Sequence, residues 1–177
     1  MNKRITEEEV RKLYEEYSTP AHVKAHCRAV ADTAVKLADT LNKHGYNLDL
    51  DLIKGAGLAH DVARTGEEHW NVGADALEAL GYYDEAKIIR VHMFYSPFNQ
   101  LDKLNECDMV CLADRLVKED CYVGLDERIK YILNKAPKTP EVAKNILSRK
   151  AETEKLLDDI ASVIGESVDS LFTDKER

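Results

Sequence analysis

Glycine and proline are scarce, at 8 and 4 among 177 residues, about half of average usage. A β-sandwich or barrel needs turn residues roughly every 8–12 positions, so that class is excluded. No apolar/polar alternation is long enough to build a sheet, and there is no repeat or low-complexity tract. No apolar stretch approaches the roughly 18 residues of a membrane span. The start, Met1-Asn2-Lys3-Arg4 followed by Glu7-Glu8-Glu9, lacks the apolar core of a signal peptide. The expectation is a soluble, cytoplasmic protein with no membrane partner. Basic residues are outnumbered, 25 against 33 acidic, for a net charge of −8. That excess argues against a nucleic-acid partner, whose footprint is a basic patch. Taken globally, it is equally unfavourable to a phosphate-bearing substrate. Cys27, Cys107, Cys111 and Cys121 show no C-x-x-C spacing and read as reduced core thiols.

What is present is helical punctuation. Thr6 and Glu9 form a capping box for a helix over 7–17. Thr19-Pro20 reads as a cap with proline at the first helical position, opening a helix to about Lys43. Its buried stripe is Val23, Cys27, Val30, Ala34, Leu37, Ala38 and Leu41. Further helices are predicted over 49–62, 69–80, 84–94, 101–118, 126–135 and 141–165. The acidic cluster Glu152, Glu154, Asp158 and Asp159 reads as a solvated face. The fold class is all-α: one domain over 1–177 of about seven or eight helices, with a core over about 19–127 and a C-terminal helical extension over about 138–172.

Six histidines separate by position. His22 and His44 fall on exposed helix ends. His26, His60, His69 and His92 fall on inward faces, as do Asp61 and Asp114. Small residues at Ala56, Gly57 and Ala59 let another helix approach His60 closely. Buried polar groups are costly unless paired, and six of them on apolar faces are most economically explained by a shared metal centre. Imidazole and carboxylate ligands without thiolate suit Mn, Fe, Co, Ni or Zn rather than Ca.

His26, the adjacent His60-Asp61 and Asp114 resemble the H…HD…D pattern of the HD-domain metal-dependent phosphohydrolases. The likeness extends through Gly57-Leu58-Ala59-His60-Asp61-Val62-Ala63-Arg64 and Leu112-Ala113-Asp114-Arg115-Leu116-Val117. His69-Trp70-Asn71-Val72-Gly73-Ala74 and Val91-His92 match the two extra histidines of the bimetallic branch, which includes bacterial diadenosine tetraphosphate hydrolases. The short step from Asp61 to His69 is more similar to HD domains appended to nucleotidyltransferases of molybdenum-cofactor assembly. The resemblance covers about Thr19 to Glu127 and implies an HD-domain bundle with two divalent metal ions. His26, His60, Asp61 and Asp114 would hold one, and Asp61 would bridge to a second on His69 and His92. A single metal on the first four residues is the alternative.

Four neutral imidazoles and two carboxylates around two divalent ions leave about +2 locally. That outweighs a diffuse −8 screened beyond roughly 8–10 Å. A phosphate could therefore bind, with a water deprotonated at the metals as nucleophile and Asp61 as the catalytic carboxylate. Arg64 and Lys118, each four residues beyond a ligand, are the candidates to hold phosphate oxygens, and Arg115 is a weaker one. Trp70, Tyr95 and Phe98 could stack on a base, although ordinary packing explains each. The function expected is hydrolysis of a phosphoester or phosphoanhydride in a small phosphorylated metabolite, a nucleotide in the first instance. Alternatives are a dinucleoside polyphosphate or alarmone hydrolase, a non-catalytic nucleotide-binding signalling module, and a di-iron oxygenase. Nothing in the pattern sets the oligomeric state.

Overall fold

The computed structural model describes residues 3–173; Met1-Asn2 and 174–177, the ends of the expected domain, lie outside the described residues. Eight α-helices account for most of them: α1 (Glu7–Glu16), α2 (Ala21–Asn42), α3 (Leu50–Ala59), α4 (His69–Ala79), α5 (Tyr83–Val91), α6 (Glu106–Asp114), α7 (Leu125–Lys135) and α8 (Pro140–Ile164). The architecture is the all-α bundle the sequence implies. The strands are β1 (Val117–Lys118) and β2 (Cys121–Tyr122), paired antiparallel.

Helix starts follow side-chain chemistry. In α1 the Thr6 hydroxyl accepts from Glu9 N while the Glu9 carboxylate accepts from Thr6 N, closing the expected capping box. At α2 the expectation shifts by one residue. Pro20 occupies the cap position, and Thr19 is buried with its hydroxyl donating to the Val62 carbonyl at 2.6 Å. Thr19 therefore ties α2 to the chain after α3 and does not cap its own helix.

The single helix expected over 101–118 does not form. A short 3₁₀ turn (Leu101–Lys103) ends at Leu104, and α6 begins afresh with Asn105 capping the backbone of Cys107 and Asp108. Buried Asp108 explains the break. Its carboxylate accepts from Tyr95 Oη, from Asn99 N and Nδ2, and from Asn105 N. These bonds pin the 95–105 loop against α6. Past Asp114 the chain turns into the β1–β2 hairpin, with Glu119 left-handed at φ 55°.

α2 is the axis of the bundle. Val30, Ala34, Leu37, Ala38 and Leu41 pack into a cluster with Ile53, Met109, Leu112, Leu156 and Ile160. Val23, Cys27 and Ala31 join a second cluster with Val10, Leu13, Leu58, Leu77 and Ile89. Each fully buried aliphatic side chain contributes roughly 1.5–3 kcal/mol. α2 and α3 approach closely at Gly57, where a Cβ would stand 2.7 Å from Ala31 Cα and 3.0 Å from Ala31 Cβ. Only glycine allows α3 to lie this close to α2.

Two smaller expectations are corrected. Glu152 does not sit on a solvated face: its carboxylate accepts from Ser96 Oγ at 2.9 Å and Phe98 N at 2.6 Å, and lies 3.8 Å from Arg115. All four cysteines are free, but only Cys27 and Cys111 are buried. Cys107 is half-buried, and Cys121 is exposed on β2. No helix among the described residues is long and apolar enough to cross a membrane.

Candidate metal centre

The six polar residues singled out in the sequence converge, mostly from helix ends rather than helix faces. His26 lies in the second turn of α2. His60 and His92 are the C-terminal caps of α3 and α5, His69 is the first residue of α4, and Asp114 is the last of α6. Asp61 directly follows His60. At helix ends side chains escape the periodicity of a packed face and can aim along the helix axis.

Helix ends also supply the orienting groups. The last carbonyls of a helix lack intrahelical partners. His60 Nδ1 donates to Gly57 O and His92 Nδ1 to Ile89 O, each three residues back and each at 2.7 Å. His26 Nδ1 donates to Glu119 O at 2.7 Å, delivered by the left-handed hairpin turn. A carbonyl only accepts, so each Nδ1 carries a proton and each Nε2 is the ring atom that faces inward. This is how metal-ligating histidines are commonly fixed.

The inward atoms crowd together. Asp114 Oδ1 is 3.0 Å from His26 Nε2 and 3.8 Å from His60 Nε2. On the other side of His60, Asp61 Oδ2 is 3.7 Å from His60 Nε2, while Asp61 Oδ1 is 3.0 Å from His69 Nε2 and 3.5 Å from His92 Nε2. Two compact ligand groups result, His26–His60–Asp114 and His60–Asp61–His92. His60 Nε2 and Asp61 Oδ1 are buried without a hydrogen-bond partner, although such atoms are rarely left so. Acceptor atoms facing one another with no proton between them fit a cation, and imidazole with carboxylate suits a divalent transition metal. The donor set fits the group.

Electrostatics agree. Burial would raise the Asp61 carboxyl, but the imidazoles of His60, His69 and His92 outweigh it and hold it well below the carboxylate range. Burial acts likewise on Asp114, outweighed by His26 and His60. Burial pushes the fully enclosed His60 down. His26 and His92 feel the same burial, but Asp114 and Asp61 respectively lift them above the usual value. Protons and metal therefore compete for the same nitrogen atoms.

The centre forms the floor of a cavity of about 540 Å³, reached by His26, Asp61, His92 and Asp114. Arg64 lines its wall, with Nη1 3.1 Å from His69 Nε2 and Nε 3.8 Å from Asp61 Oδ2. Lys118 is not among the lining residues. It lies on β1, 3.7 Å from Glu127 and 5.1 Å from the Tyr131 ring. Arg115 lines the cavity but is tied back to Thr153 Oγ1 at 3.0 Å and to the Tyr95 carbonyl. Exposed His22 sits at the cavity wall, and His44 is an exposed residue whose Nδ1 meets Thr40 O. Trp70 packs edge-on to His69 and Phe94, and Tyr95 on Phe98; none of these three candidate stacking rings lines the cavity. A larger cleft of about 670 Å³, lined by Phe98, Glu152 and Lys155, contains none of the six ligand candidates.

Sequence reasoning missed Arg128, Tyr131, Lys135 and Arg149, which α7 and α8 bring to the cavity wall. The legible signal was the spacing of Arg128, Tyr131 and Lys135 on one helix face. No acid or histidine among them marked the face as part of a site.

The HD domain family profile matches residues 23–118. An uncharacterized protein of Methanocaldococcus jannaschii is 29% identical over 152 residues, covering 77% of this chain and 90% of its own length. No solved structure matches the chain.

Proposed function

Because the chain belongs to the HD-domain family, whose members are generally metal-dependent phosphohydrolases, we propose that it hydrolyses a phosphoester or phosphoanhydride of a small phosphorylated metabolite, a nucleotide in the first instance. The observation that carries this reading is the pair of buried acceptors without hydrogen bonds, His60 Nε2 and Asp61 Oδ1, the second on a residue that lines an open cavity. His26, His60, Asp61 and Asp114 would hold one divalent ion, and Asp61, His69 and His92 a second. Bound there, divalent transition metal ions supply a water of lowered pKa and a Lewis acid for a phosphoryl oxygen.

The chain's own residues supply the rest. The carbonyls of Gly57, Ile89 and Glu119 hold three imidazoles in one tautomer and one orientation, so ligand geometry costs no reorganisation when substrate arrives. Asp61 stays ionised throughout the working pH range and is the carboxylate shared between the two groups of histidines. Arg64 stands over Asp61 and His69 with its guanidinium in the cavity, placed to take non-bridging phosphate oxygens in a bidentate pair. His60, His69 and His92 are buried, and interactions there are screened less than in bulk water.

The test is metal analysis of the purified protein together with phosphate release across a panel of nucleotides. Release that requires bound metal and disappears in Asp61→Ala supports the reading. Two bound metals with no release from any member would overturn it.

A further inference from the structure

The cavity has a second, cationic wall outside the stretch matched by the family profile, which ends at residue 118. On α7, Arg128, Tyr131 and Lys135 face the cavity, and α8 adds Arg149. Three cations surround the Tyr131 ring: Lys135 Nζ at 4.3 Å, Lys118 Nζ at 5.1 Å and the Arg128 guanidinium at 5.5 Å. Lys118 is matched by Glu127, and nearby Lys150 on α8 by Asp126 and Glu154. Among the described residues, Arg128, Lys135 and Arg149 have no carboxylate within ion-pair distance. Lys135 reaches only the Tyr131 hydroxyl and Arg149 only the Met93 carbonyl. Arg128 Nε is buried with no hydrogen-bond partner at all.

Gathering like charges in one wall and desolvating part of a guanidinium without an anion is unfavourable. In a protein of net charge −8, carboxylates to neutralise these groups are abundant. The remaining lining carboxylates do not reach them: Asp61 and Asp114 belong to the metal ligands, and the exposed Glu119 side chain forms no ion pair with Arg128, Lys135 or Arg149. An anion supplied by the ligand would satisfy the wall, and guanidinium groups bind phosphate in bidentate fashion.

We propose that the α7–α8 wall is a subsite for a second phosphate, so that the preferred substrates carry at least two phosphate groups. The scissile phosphate would lie at the metal ligands and the distal one at Arg128, Lys135 and Arg149. This deepens the hydrolase reading and rests on it for the position of the scissile group. It assigns the selection of polyphosphorylated over monophosphorylated substrates to the C-terminal helices of this chain.

The experiment is calorimetric titration of the metal-loaded protein with mono-, di- and triphosphates of one nucleoside. Phosphonate analogues in which methylene replaces every bridging oxygen, the ester oxygen included, prevent turnover, and excess Mg²⁺ prevents metal stripping. Affinity should rise with each phosphate added. Arg128→Gln and Arg149→Gln should each weaken triphosphate binding by about 10-fold or more, as expected for a lost charge-assisted bond, while leaving the monophosphate unaffected. Circular dichroism of both variants checks that they fold. Equal affinity for mono- and triphosphate, or variants that bind triphosphate like the parent, would overturn the proposal. So would affinity that climbs with oligonucleotide length at a constant number of terminal phosphates, which would assign the wall to a nucleic-acid backbone. Because binding is the readout, these outcomes are distinct from failure of the hydrolase reading, which shows as absent phosphate release.

Discussion

Replacing Gly57 by alanine should loosen the bundle and weaken the metal centre together. The new Cβ would meet Ala31 Cα at 2.7 Å, Ala31 Cβ at 3.0 Å and Ala31 N at 3.2 Å. Carbon atoms rest at about 3.5–4.0 Å, so α2 and α3 must separate by about 1 Å. Overpacking of this kind costs roughly 1–3 kcal/mol, and the better helix propensity of alanine returns up to about 1 kcal/mol. The nearest contacts are backbone, which cannot rotate away, so a net loss near ~2 kcal/mol is expected. At about 2–4 °C per kcal/mol for a chain of this size, the midpoint should fall by about 4–8 °C. The same separation pulls His26 from His60, whose rings lie 5.4 Å apart across that seam, while metal distances tolerate only about 0.2 Å. Thermal melts followed by circular dichroism, with elemental analysis for bound metal, measure both effects. Gly66→Ala is the control, because its nearest new neighbour is Ala63 O at an ordinary 3.5 Å. Adding Ala31→Gly should restore stability only in part, since it removes the Cβ contact and leaves the Cα. A Gly57→Ala protein that melts and binds metal like its parent would refute the reasoning.

Chelation should abolish phosphate release, and readdition of a divalent transition metal should restore it; turnover that survives complete metal removal would sink the hydrolase reading. Asp108→Ala strips the acceptor of four loop and cap hydrogen bonds and should cost about 2–4 kcal/mol in denaturant melts, since bonds to a charged group are worth roughly 1.5–3 kcal/mol each and are partly replaced by water. Glu9, bonded to the Tyr82 hydroxyl and to Thr6, is held down at about 2 from an ordinary 4.5. Its folded-state pKa is depressed, so its contribution is full above 4.5 and is lost as pH falls towards 2. Glu9→Gln should flatten the acid limb of stability against pH in that window, and an unchanged limb would show that the contact carries no linkage.

The sequence revealed much of the fold through local chemistry. The capping box at Thr6 and Glu9, the buried stripe of α2 and the small residues before His60 are each read within a few positions of the chain, and each is present in the structure. The expectations that shifted depend on distant partners. Thr19 resembles a cap but spends its hydroxyl on Val62, 43 residues away. The run 101–118 resembles one helix, yet Asp108 draws the 95–105 loop onto it and forces a new start at Asn105. Glu152 resembles a surface acid until loop and arginine meet it.

The same division applies to the candidate centre. By themselves, residue types and spacing singled out the six candidate ligands, because acids and imidazoles are conspicuous where apolar side chains belong. Tertiary structure alone decided that most of them project from helix ends, that free carbonyls there set three imidazole tautomers, and that α7 and α8 close the cavity with unmatched cations. A ligand candidate can be recognised from its own chemistry and its neighbours in the chain. The group that orients it, or the wall that faces it, comes from residues up to 93 positions away, and no local pattern records a contact that only the packing of helices creates.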